Sequence, residues 1–329
     1  MGGDNATDLA ALALSAAPAF RALGETFVGP TTAGMDFPYI ERTFQAGILA
    51  AYTNISVHPY RAGPPESVLQ DWVQLAALIA NYTPPGQAPL AMIDGEWGYT
   101  SALPPCPYGN KASPLVQGKY VARMWLLNAL SNVPLSISYD WRDDGTNKTD
   151  CESNFGSVLA EATGNASAPY PPKPAYLAAL TAQRGVGEAE RLVGRLPPTP
   201  ASPLLPEDTF ILHFASASGR PLLAAWSNAT QCPAQPPPSG RADCGYSGIS
   251  PAQCAQRRCC WDAAPGAGPQ CYAGQPVAGV PVSFAAPPGA PGDCWVGVDV
   301  LGQPLVPQQV CAVAGVVTVQ LSDGPLYLL

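Results

Sequence analysis

Residues 6–23 follow an Ala- and Leu-rich repeat of helical period, and after them short, nearly unbroken apolar runs alternate with longer stretches of the same period. The runs near 25–33, 54–60, 89–96 and 134–141 predict strands. Helices are predicted near 37–48, 65–81, 114–132 and 173–184, each opened by Pro, Ser or Asp at a cap or first-turn position. This gives four βα repeats. Strands that are apolar throughout, rather than at alternate positions, suit a parallel sheet covered on both faces. Beyond residue 196 the period changes. The Pro-rich segment Pro197-Pro198-Thr199-Pro200 leads into short alternating strands in 209–216, 294–301 and Val317-Thr318-Val319-Gln320-Leu321, the pattern of a small antiparallel sandwich. His213, inside Phe210-Ile211-Leu212-His213-Phe214, reads as a strand residue.

Each βα strand ends in polar or aromatic residues: Thr31-Thr32, His58-Pro59-Tyr60-Arg61, Glu96-Trp97 and Tyr139-Asp140-Trp141-Arg142-Asp143-Asp144. Functional groups on successive strand tips form the mouth of a (β/α) barrel, of which four repeats make half. Glu96 is the most informative of these residues. It closes the apolar run Pro89-Leu90-Ala91-Met92-Ile93-Asp94-Gly95, and a carboxylate there costs desolvation energy unless partners hold it.

The segments Ile55-Ser56-Val57-His58-Pro59-Tyr60-Arg61, Asp94-Gly95-Glu96-Trp97-Gly98-Tyr99 and Ser138-Tyr139-Asp140-Trp141-Arg142 resemble strands six, seven and eight of clan A glycoside hydrolases, over roughly residues 1–185. The resemblance implies the C-terminal half of a TIM (β/α)8 barrel with Glu96 as the nucleophile of a retaining glycosidase. It also implies His58 or Tyr60 as support for that nucleophile and Trp141 as a sugar-stacking residue. Trp97 and Tyr99 are further candidates for substrate contact. Retaining hydrolysis needs a second carboxyl group, with a raised pKa, about 5 Å from the first. The clan's acid, a Glu after Asn at the end of strand four, has no counterpart in this sequence. Asp36, Glu66, Asp140, Asp143 and Asp144 are the carboxylates available, and no spacing marks one of them. The chain alone is therefore expected to be catalytically incomplete, and its open barrel edges to favour self-association.

Charge and composition narrow the remaining classes. A net charge of −8 with 16 scattered basic residues excludes a nucleic-acid footprint. No apolar stretch reaches the 18 or more residues of a membrane span. Charged residues are only 12%, while Pro (39) and Gly (32) are abundant, which predicts long loops. With two distant His and no ligand spacing, neither a metal nor another cofactor is expected. Ten cysteines and sequons at Asn5, Asn54, Asn81, Asn147, Asn165 and Asn228 point to a secreted, extracellular or cell-wall glycoprotein. The N-terminus, with Asp4 and Asp8 ahead of the first cation at Arg21, lacks the features of a signal peptide, so this chain is expected to be missing its export signal.

The cysteines also define a module. Cys106 and Cys151 fall in loops after the third and fourth strands, where a bridge would tie two mouth loops; the alternative is two free thiols. Cys294 and Cys311 are expected to staple neighbouring sandwich strands. Cys232, Cys244, Cys254, Cys259, Cys260 and Cys271, with Cys259-Cys260-Trp261-Asp262, resemble a trefoil (P-type) domain. Sequence alone permits about 15 pairings, and the resemblance implies Cys232–Cys260, Cys244–Cys259 and Cys254–Cys271. Tyr246 and Trp261 would form a sugar platform, or else cover the disulfide core. The expected domains are thus 1–185, a glycosidase-like partial barrel; 186–231 with 272–329, a sandwich; and 232–271, the trefoil. The expected function is hydrolysis of a β-linked polysaccharide or glycoconjugate, and the alternative is a secreted, non-catalytic carbohydrate-binding protein.

Overall fold

The computed structural model describes residues 5–61, 63–103, 113–162, 164–165, 169–187, 189–232, 249–256, 259–263, 268–272, 274–288 and 294–329. The chain divides into two compact units, 1–180 and 181–329, a boundary inside the last predicted helix rather than after it.

The first unit runs α1 (Ala6–Leu23), β1 (Val28–Thr32), α2 (Phe37–Gln45), β2 (Asn54–Val57), α3 (Val68–Tyr82), β3 (Ala91–Trp97), α4 (Pro114–Leu130), β4 (Ser136–Ser138) and the start of α5 (Pro174–Val186). Its strands form one parallel sheet in sequence order, as the βα pattern requires. Local chemistry fixes the helix ends. Asp36 Oδ1 accepts the Tyr39 N–H at 3.0 Å and Ser113 Oγ accepts the Val116 N–H at 3.3 Å, which caps α2 and α4. Gly24 takes a left-handed φ of 71° to end α1. That helix buries its alanines, Ala6, Ala10, Ala13 and Ala17, and turns Leu12 and Leu23 outward at 67% and 76% exposure. The polarity of its two faces is thus the reverse of what residue size suggests.

The second unit continues with β5 (Ala189–Arg195), β6 (Thr209–Ser216), β7 (Pro221–Ser227), β8 (Thr230–Gln231), α6 (Pro251–Gln256), β9 (Cys260–Trp261), β10 (Cys271–Tyr272), β11 (Gln275–Pro276), β12 (Val280–Ala285), β13 (Cys294–Val298), β14 (Pro304–Cys311), β15 (Val316–Leu321) and β16 (Leu326–Leu328). A six-stranded antiparallel sheet in the order β14-β13-β16-β7-β6-β5 faces the β12–β15 pair. Ile211, Leu223, Trp295 and Leu328 from one sheet and Val282, Phe284, Val317 and Leu321 from the other fill the core between them. The strands flanking the cysteine-rich insert do not pair with each other: β7 and β12 lie in different sheets. A two-residue ladder, Thr230 with Pro276 and Gln231 with Gln275, closes the base of the insert instead.

Bridges join Cys232 to Cys260, Cys254 to Cys271, and Cys294 to Cys311, the last pair directly opposite across β13 and β14. Cys151 and Cys259 are also disulfide-bonded, and their expected partners, Cys106 and Cys244, lie outside the described residues. Among the described residues no helix is long and apolar enough to cross a membrane.

Candidate active site

The site forms where β3 departs from regular alternation. Asp94 pairs with Ser136 and Trp97 with Ser138, so three steps along β3 match two along β4. A bulge of this kind re-aims the side chains around it. Asp94 and Trp97 turn toward the helices, whereas Gly95 and Glu96 turn toward the tip of β2. Gly95 is required by that closeness, because a Cβ there would lie 2.2 Å from Ser56 Oγ. Gly98, one residue past the strand, is required for the same reason: its Cβ would lie 1.6 Å from the Tyr139 carbonyl oxygen.

Three predicted residues meet at the mouth. The Tyr60 hydroxyl donates to Glu96 Oε1 at 2.6 Å, and His58 Nδ1 lies 3.6 Å from Oε2. The Glu96 side chain remains 35% exposed and that of His58 17%. Burial, and then the bond to Glu96, push the Tyr60 phenol well above its ordinary range, so it stays a neutral donor to the carboxylate. Phe155 stands edge-on to Tyr60 at 6.1 Å and to Tyr139 at 5.3 Å, which extends an aromatic wall away from Glu96. The Tyr139 hydroxyl donates to Glu152 at 3.4 Å, and burial followed by the nearby carboxylates pushes its pKa up to about 12. Phe155 gave no signal in the sequence, since it lies in a loop without periodicity.

The other aromatic candidates separate. Trp141 is 59% exposed on the rim, with Tyr176 edge-on at 5.9 Å. Trp97 and Tyr99 are buried, at 0% and 1% exposure, and the expectation that they touch substrate is corrected. The Arg61 guanidinium covers the Trp97 ring at 5.3 Å while pairing with Asp71 at 3.0 Å, and the Tyr99 ring packs on Tyr120 at 5.0 Å. Both therefore pack in the layer between sheet and helices, behind the mouth.

The carboxylates available for a second acid are mostly engaged elsewhere. Asp36 caps α2. Glu66 is buried at 8% exposure and bound by Arg123, with Nε donating to Oε1 at 2.7 Å and a second bond from Nη2 to Oε2. Asp143, 1% exposed, accepts from Lys173 Nζ at 2.7 Å, and Asp140 accepts from the backbone of Trp141. The two rim loops are knitted by main-chain bonds, Ser101 N–H to Asn154 at 3.0 Å and Leu103 N–H to Lys148 at 2.6 Å. Gln117 Nε2 reinforces them from α4 by donating to Tyr99 at 2.7 Å and Phe155 at 3.1 Å. Among the described residues no group of three His, Cys, Asp or Glu side chains is placed to hold a metal ion.

Solved structures share this fold. A family 39 glycoside hydrolase from the gut symbiont Bacteroides cellulosilyticus WH2 superposes with a TM-score of 0.63 at 17% identity, covering 97% of this chain and 54% of that one. The catalytic domain of GH30 xylanase C from Talaromyces cellulolyticus superposes at 0.50 with 11% identity, covering 98% of this chain and 56% of its own. The fold is that of the clan A glycoside hydrolases. The chain spans about half the length of these relatives. Residues 232–274 match the trefoil (P-type) domain family. No curated protein sequence matches the chain.

In the trefoil, Trp261 is partly buried and packs on Ile249, Cys254 and Cys271. Tyr246, the other half of the expected sugar platform, lies outside the described residues.

Proposed function

We propose that the first unit is the nucleophile-bearing part of a retaining glycoside hydrolase acting on a β-linked polysaccharide or glycoconjugate outside the cell. The observation that supports this most directly is Glu96, partly exposed at a strand tip and oriented by the Tyr60 hydroxyl at 2.6 Å. In this reading Glu96 attacks the anomeric carbon, the glycosidic oxygen leaves, and a glycosyl ester forms that water later hydrolyses. Tyr60 holds one oxygen of Glu96 so that the other faces the sugar. Trp141 stacks on a neighbouring sugar ring.

The test is covalent capture by an activated 2-deoxy-2-fluoro glycoside. A dinitrophenolate leaving group departs without protonation, so labelling reports the nucleophile alone. The expected result is one sugar adduct on the peptide containing Glu96, absent in Glu96→Gln. An adduct on another carboxylate would refute the assignment.

A second reading, carbohydrate binding without hydrolysis, is favoured by the engagement of Asp36, Glu66, Asp140 and Asp143 in structural bonds. It predicts sugar binding with no adduct from any glycoside of the series. For the trefoil, the packing of Trp261 against the disulfide cluster favours a role in covering that core.

A further inference from the structure

Asp94 lies two residues before Glu96 on β3 and is completely buried. Its Oδ2 accepts from Asn128 Nδ2 of α4 at 2.7 Å and from Ser136 Oγ of β4 at 2.6 Å. Asn128 is held in turn, because its Oδ1 accepts the Trp72 indole N–H of α3 at 3.1 Å. The backbone N–H of Glu96 also favours the ionised Asp94 carboxyl. One side chain thus joins β3, β4, α3 and α4 directly behind the candidate nucleophile. Oδ1, however, is buried and has no hydrogen-bond partner among the described residues.

That orphaned oxygen sets the chemistry. An ionised carboxylate would leave part of its charge on an atom without a donor, which is the costly case for a buried group. Neutral Asn128, Ser136 and, through Asn128, Trp72 face it from α4, β4 and α3. The charged side chain that acts on it is Arg61, from the loop after β2 and itself paired with Asp71 of α3, and Glu96 follows two residues on along its own strand. Burial outweighs the three donors and Arg61, and raises the carboxyl to about 7. Below that pH the proton sits on the acid; above it the proton passes to water.

We propose that Asp94 is a positioning residue for Glu96: its bonds to Asn128 and Ser136 hold β3 against α4 and β4, and with it the Glu96 backbone at the mouth, and exchange of its proton changes the strength of that hold. The positioning effect rests on the nucleophile reading of Glu96, whereas the proton exchange does not.

The experiment follows the Trp72 indole and the Glu96 backbone amide by nitrogen-15 NMR in the full chain between pH 5 and 9. Both resonances should move with one midpoint near 7 in the wild type and stay flat in Asp94→Asn. Ser136→Ala removes a donor to the carboxylate and should move the midpoint upward, which keeps the test decisive if Asp94→Asn does not fold. Flat wild-type resonances, curves that persist in Asp94→Asn, or an unmoved midpoint in Ser136→Ala would each overturn the proposal. A titrating Trp72 beside a static Glu96 amide would overturn the positioning role. The rate of covalent capture should also break near pH 7 in the wild type but not in Asp94→Asn. Failure to label Glu96 at any pH, with both resonances titrating, would remove the nucleophile assignment while supporting the proton-linked lock.

Discussion

Replacing Arg123 with Leu tests whether Glu66 is an anchor or a spare catalytic acid. The two side chains are 2% and 8% exposed, and they meet through two hydrogen bonds between α4 and the turn before α3. Removing the guanidinium leaves the Glu66 carboxylate buried without its counter-charge, a change that costs about 3–5 kcal/mol. Loss of the Arg123 contact over the Tyr120 ring, at 5.0 Å, adds under about 1 kcal/mol. The expected loss is about 4 kcal/mol. In a unit of this size that lowers the melting temperature by about 8–16 °C. In Glu66→Leu/Arg123→Leu the stranded charge is gone and both side chains are apolar, so at least about 2 kcal/mol should return. Guanidinium unfolding of the wild type, both single variants and the double variant, followed by circular dichroism, supplies the full cycle. A loss below about 1 kcal/mol in Arg123→Leu, or a double variant as unstable as the single, would refute the reasoning and reopen Glu66 as an available acid.

Tyr60→Phe deletes a hydrogen bond to a charged group worth about 1.5–3 kcal/mol, so covalent capture of Glu96 should slow about 10- to 100-fold; an unchanged rate would detach Tyr60 from the site. Asp94 has a folded-state value near 7 against an ordinary carboxylate value of about 3.9 when unfolded, so the folded chain binds the extra proton between them. Its stabilising effect is complete at acid pH, falls as pH rises to about 7 and is flat above, by at most about 4 kcal/mol; urea melts at several pH values should lose this slope in Asp94→Asn, and an unaltered slope would contradict the assignment. After secretory expression Asn81 and Asn147, both exposed, should carry N-glycans, while Asn54, paired with Val28 and Ala91 in the sheet, should not; peptide mass analysis after glycan removal reads this directly. Among the described residues β1 and β4 each pair on one side only, and Leu135, just before β4, and Ile137, within it, are each 48% exposed. Sedimentation velocity should therefore show self-association, and a monodisperse monomer at micromolar concentration would show that these edges are tolerated.

Elements and their order were legible because they follow local rules. The first helix spans Ala6–Leu23 as its period implies, and each later strand and helix of the first unit lies within a few residues of its predicted place. The strand-tip positions of His58, Tyr60 and Glu96 followed from the same alternation, and two of the trefoil bridges from cysteine spacing read through the family resemblance. What each tip residue faces was not legible. One extra residue in β3 sends Glu96 to the mouth and Trp97 and Tyr99 into the layer under the helices, and the same apolar run is compatible with either direction. The engagement of Glu66 by Arg123 spans 57 positions, that of Asp143 by Lys173 spans 30, and the lock at Asp94 draws on four separate elements. Sequence by itself determined the hydrogen-bonded segments, since backbone period and caps act over a few residues. Only the tertiary structure decided which carboxylates are buried and paired and that Glu96 stays partly exposed at a strand tip, because burial and pairing depend on side chains that meet only when the sheet closes against its helices.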